Sequence, residues 1–185
     1  YRTVNGSFTG NALGGAVTTT QTLGFAVSSL ERIIVVHRRD DSQTQDNQCM
    51  SRSLATLNEY QCFINGAAFP ERPIVLTGTP NLLGYGGEAV AAGLPAPAGL
   101  WALDNGDGAG TATTGQGVVA IELESLAGKS NSLYSGISTI GAVVQYRGVY
   151  TNPAAGIGYN LSFFAQFTSM LSLDMNSLGT YIVSV

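Results

Sequence analysis

Histidine, cysteine and clustered carboxylates are the side chains that would do chemistry, and this chain offers few of them. Its one histidine, His37, stands in line with Ile33 and Val35 inside the run RIIVVHR (Arg32 to Arg38). A single imidazole falls short of the several that a cupin-type metal site needs, and no flanking motif presents a serine or cysteine nucleophile for it to activate. His37 is therefore read as a packed side chain. Two cysteines, Cys49 and Cys62, are too few for a zinc site or a disulfide framework. Cys62 falls in an apolar run and Cys49 in a polar loop, so two packed thiols are expected.

The acidic residues do not assemble a site either. Asp104, Asn105, Gly106, Asp107 and Gly108 have the wrong acidic spacing for an EF-hand, and no glutamate follows at the bidentate position, so they read as a turn. Glu122 and Glu124 share one face of an expected strand and read as solvated. Gly128, Lys129 and Ser130 echo the end of a phosphate-binding loop, but Leu123 stands where its first glycine belongs. Gly106, Gly108 and Gly110 lack the strand before and helix after that a dinucleotide fingerprint needs. Two sequons remain, Asn5-Gly6-Ser7 and Asn160-Leu161-Ser162, the second inside an expected strand. No catalytic, cofactor-binding or metal-binding residue is assigned, and the chain is not expected to be an enzyme.

Composition points to assembly instead. Charged residues make up only 11% of the 185, against about 25% in an average domain. Apolar residues reach 44%, and there are 24 glycines. Surfaces this poor in charge suit faces covered by neighbouring molecules. The net charge of −4 leaves no polycation to neutralise phosphates; Arg38 and Arg39 are followed at once by Asp40 and Asp41. No direct nucleic-acid partner is therefore expected. No run of 18 uncharged apolar residues would span a membrane. Opening at Tyr1, the chain is read as a processed or excerpted piece.

The elements that would carry these residues are strands. Thr18 to Val27 alternates apolar with small or polar residues, and RIIVVHR reads as a strand buried on both faces. Asp40 to Ser53 is a polar loop, after which Glu59 to Ile64 runs into Asn65 and Gly66, a strong turn signal. Pro70 and Pro73 bracket an extended corner. Residues 77–116 form one long Gly/Ala/Pro-rich loop insertion, with a short helix near Glu88 to Ala92 left open. Strands return at Gly117 to Leu123, Thr139 to Tyr146, Tyr159 to Phe167, Met170 to Asp174 and Thr180 to Val185. This pattern predicts an all-β, antiparallel, eight-stranded jelly-roll sandwich: a single domain over 1–185 with residues 1–16 as an N-terminal lead-in.

The order of segments carries a resemblance. LNEYQCFINGAAFPERPI (Leu57 to Ile74) precedes the long excursion, and GVVAIELESLAG (Gly117 to Gly128), YSGISTIGAVVQYRGVY (Tyr134 to Tyr150) and NLSFFAQFTSMLSLDM (Asn160 to Met175) follow it. This resembles the C-terminal jelly roll of double jelly-roll, hexon-type viral major capsid proteins, from Leu30 to the end of the chain. Single jelly-roll capsid proteins match nearly as well, and the length accommodates one roll, so the chain is either the second half of a larger protein or a member of a single-roll lineage. The resemblance implies a structural subunit of trimeric pseudo-hexagonal capsomers in an icosahedral double-stranded DNA virus shell. Its partners would be copies of itself in a homotrimer and neighbouring capsomers or minor capsid proteins, its location the virion, and its cofactors none. Residues 77–116 would then clasp the trimer or face outward, launched from a corner fixed by Asn65, Gly66 and Pro70. The alternative is a secreted carbohydrate-binding jelly-roll or adhesin module, with Tyr85, Trp101 and Tyr150 as candidates for an exposed aromatic platform.

Overall fold

Which positions of each strand turn inward decides the architecture. A computed structural model describes residues 2–40, 57–75, 118–123, 136–151, 153, 155–173 and 181–184; the excursion at 77–116, the open helix within it and the polar residues 41–56 lie outside these. Ten strands run through the described residues: β1 (Arg2–Thr9), β2 (Val17–Leu23), β3 (Leu30–Asp40), β4 (Leu57–Ile64), β5 (Ala67–Val75), β6 (Val118–Glu122), β7 (Val144–Tyr150), β8 (Gly158–Phe167), β9 (Met170–Leu173) and β10 (Tyr181–Ser184). Eight of them form two antiparallel four-stranded sheets, ordered β1-β8-β3-β6 and β2-β7-β4-β5, while among the described residues β9 and β10 pair with each other in a third, two-stranded sheet. The pairing is nested: β1 with β8, β2 with β7, β3 with β6 and β4 with β5.

The two-residue period of a strand sends alternate side chains to one face. Along β3 these are Ile33, Val35 and His37; along β8, Tyr159, Leu161, Phe163 and Ala165; along β7, Val144, Tyr146 and Tyr150. They join Leu23, Tyr60, Cys62, Ile64, Val119 and Ile121 in one continuous core fed by both sheets, so the chain is a β-sandwich. Fully burying one such large apolar side chain contributes roughly 1.5–3 kcal/mol. The outward positions Ile34 and Val36 are half-buried. The RIIVVHR run is thus buried completely on one face only, and the expected two-faced burial is corrected.

Other expectations are refined. The strand read at Thr139 to Tyr146 begins at Val144, because Thr139 to Ala142 closes a turn: the Ala142 amide donates to the Thr139 carbonyl at 3.0 Å and Gly141 sits at φ 71°. Asn65 and Gly66 form the tight turn that their pairing signals, with φ of 51° and 82°, the left-handed pair that a type I′ connection requires, so they close a hairpin and the corner expected to launch the long loop does not lie there. Pro70 and Pro73 lie inside β5, and they are tolerated there because β5 is an edge strand that needs no donors on its outer side. The lead-in contains β1, whose pattern is weak because Gly6 takes one of its inward places between Val4 and Phe8.

Candidate functional site

His37 is the first residue to place. The inward parity of β3 buries it completely, and its Nε2 lies 2.9 Å from the hydroxyl of Tyr150, the last residue of β7. The Tyr150 ring packs tilted against Phe8 with centroids 4.2 Å apart, and Phe8 in turn stacks on Tyr159 at 5.0 Å. Gly148 leaves room for this: a β-carbon there would stand 2.9 Å from the Tyr150 ring. Deeper in, Tyr146 meets Phe163 edge-on at 5.2 Å and Tyr60 at 6.4 Å, while the Tyr60 hydroxyl donates to the Ala120 carbonyl at 3.0 Å. These contacts bridge the two sheets.

The chemistry of this cluster is structural. Burial pushes the Tyr146 phenol well above its usual range, and burial followed by the neighbouring Tyr146 does the same to Tyr150. Both stay neutral at ordinary pH; the Tyr150 hydroxyl is paired with His37, whereas that of Tyr146 has no hydrogen-bond partner among the described residues. Buried Cys62 follows the same rule, its thiol pushed up to about 12, chiefly by burial, so it holds almost no reactive thiolate. Among the described residues no three His, Cys, Asp or Glu side chains gather as metal ligands. A shallow recess of about 140 Å³ on the outer face of the second sheet is lined by Glu59, Tyr60, Gln61, Pro73, Arg147 and Val149. That is below the roughly 300 Å³ at which ligand pockets begin.

The remaining sequence candidates are scattered. Glu122 ends β6 and faces Arg32 at 3.5 Å, so it belongs to an ion pair; Glu124 lies outside the described residues. So do Cys49, Tyr85, Trp101, the Asp104–Gly110 stretch and Gly128 to Ser130. Arg38 is exposed at the end of β3. The two sequons are brought together: register pairs Asn5 with Ser162 and Ser7 with Asn160, and both asparagines are exposed. Neither the cross-sheet tyrosine cluster nor this pairing was anticipated from sequence. The recurring Tyr146 and Tyr150 at one strand parity was the available signal for the first.

The ends and edges of the sandwich differ in kind. At one end the registers gather Thr9, Gly158 and Asp40 in one sheet and Val17, Tyr150 and Leu57 in the other, and the Gly10 amide donates to the Ile157 carbonyl at 2.9 Å. The opposite end is stitched by backbone bonds between Leu30 and Ile137, by Thr139 to Val27, and by Asn65 to Val143. The outermost strands are β1 and β6 in one sheet and β2 and β5 in the other. Comparison of the chain with protein-family models, curated proteins and solved structures finds no significant match to any of them.

Proposed function

We propose that the chain is a structural shell subunit: a jelly-roll domain that assembles with copies of itself into trimeric pseudo-hexagonal capsomers of an icosahedral double-stranded DNA virus, and so works in the virion. The observation that carries this reading is the nested pairing of strands one with eight, two with seven, three with six and four with five. Successive pairs alternate between the two sheets. That is the scheme expected when one long hairpin, with its tip at the β4–β5 turn, is wound around a sandwich to make a jelly roll. The scarcity of charge supports the same reading, because flanks covered by neighbours need few ionic groups. The trimeric capsomer and the DNA-virus shell come from the capsid resemblance of the segments from Leu57 onward.

The test is the oligomeric state of the full chain, by native mass spectrometry and negative-stain electron microscopy. Trimers or larger shells are expected. A monomer at every concentration, or glycan binding by an isolated monomer, would overturn the reading in favour of a carbohydrate-binding module. Of the three aromatic residues considered for such a platform, Tyr150 is wholly buried and unavailable for it.

A further inference from the structure

We infer that copies of this chain join by strand addition, the C-terminal hairpin β9–β10 of one copy lying along the open edge of β2 in the next. The inference rests on the self-assembly proposed above and names the surfaces that make it.

The donor is a hairpin that its own sheets do not accommodate. β8 is an interior strand flanked by β1 and β3, and β9 begins three residues after β8 ends. Within that short link the Thr168 amide donates to the Ser29 carbonyl at 3.1 Å and its hydroxyl donates to the Glu31 carboxylate, tying the chain to the β3 side. Both places beside β8 are filled by β1 and β3, and among the described residues the hairpin forms a sheet of its own with four paired positions. A lone two-stranded hairpin is marginal in water. Its strands MLSL and YIVS contain neither charge nor proline.

The acceptor follows from comparing the four outermost strands. Edge strands are ordinarily guarded by charges, prolines, bulges or brevity. β5 carries Pro70, Glu71, Arg72, Pro73 and a register shift opposite Tyr60 and Cys62. β6 has five residues and ends at the ion-paired Glu122. β1 carries Arg2, and its Ser7 carbonyl already accepts from Gln21 Nε2 at 3.1 Å. β2 has none of these guards: VTTTQTL is uncharged, free of proline and in unbroken register with β7. Its threonines favour extended backbone. Among the described residues, one chain therefore carries both an edge strand without these guards and a hairpin outside the two main sheets. The two surfaces are different, so the contact is head-to-tail, the kind that closes into rings such as a trimer.

Two full-length variants test this. Thr20→Lys with Thr22→Lys puts charge on exposed positions of the β2 edge, and Ile182→Pro removes a backbone donor from the hairpin. Each is checked for an unchanged circular dichroism spectrum and then sedimented over a concentration series. Each alone is expected to weaken self-association about tenfold or more. Mixed, they are expected to form a one-to-one complex that grows no further, because one supplies only the donor and the other only the acceptor. Wild-type assembly with both variants assembling equally well would overturn strand addition and leave self-assembly standing. A monomeric wild type would overturn both.

Discussion

The Nε2 of His37 and the hydroxyl of Tyr150, 113 residues apart in the chain, meet at 2.9 Å between the two sheets. The bond joins β3 of one sheet to β7 of the other, so it ties the two layers together. Tyr150→Phe removes the hydroxyl and is expected to cost about 1–3 kcal/mol. The double variant Tyr150→Phe with His37→Leu should lose less than the sum of the two single changes, since it removes both polar partners. A double-mutant cycle in urea checks this, and strict additivity would show that the pair is uncoupled.

Stability should fall on the alkaline side. Cys62 rises from 9.0 to about 12 on folding, and the buried Tyr146 and Tyr150 rise above their ordinary 10.0. Groups held neutral by the fold contribute stability in full below their unfolded values. That contribution is lost as pH climbs, because the unfolded chain then releases protons that the folded one retains. Urea midpoints are therefore expected to decline progressively above pH 9.0, with the thiol part running toward about 12 and absent in Cys62→Ala.

Two glycines should respond differently to alanine. At residue 136 a β-carbon would stand 2.4 Å from the Leu30 carbonyl oxygen, which the Ile137 amide already engages, and backbone cannot swing away. At residue 6 it would meet Gln21 Oε1 at 2.6 Å, the far end of a flexible side chain. Gly136→Ala is expected to cost about 3 kcal/mol and Gly6→Ala about 1 kcal/mol. Thermal melts of the two variants would rank them.

The β4–β5 turn is a further checkpoint. Gly66 sits at φ 82°, and Asn65 both accepts from the Val143 amide through Oδ1 at 2.9 Å and donates its own amide to the Val143 carbonyl at 3.0 Å. Gly66→Val should cost roughly 1–2 kcal/mol from the left-handed backbone alone. Asn65→Ala should lose the tie to Val143 as well as the turn preference. Equal melting temperatures for these variants and the parent would contradict the turn assignment.

Strand periodicity made most of the sandwich readable before any coordinates. The runs around Ile33, Cys62, Val119 and Phe163 alternate or are densely β-branched, and each became a strand. Where local signals misled, a tertiary contact had won. Thr139 to Ala142 reads as extended, but Thr139 is held in place by its bonds to Val27 across the stitched end. Pro70 and Pro73 read as a corner because sequence does not reveal that β5 lies at an edge. The tyrosine cluster was hidden because it unites residues of β1, β3, β4, β7 and β8, a juxtaposition set by sheet order rather than spacing.

The length of the connections after Asp40 and Val75 has a practical corollary for peptide display. Guest sequences placed there lengthen links that are already long, and the entropy of closing a loop grows only logarithmically with its length. Guests placed between Leu23 and Leu30, or between Ile137 and Val144, would instead separate the residues that bond across the stitched end.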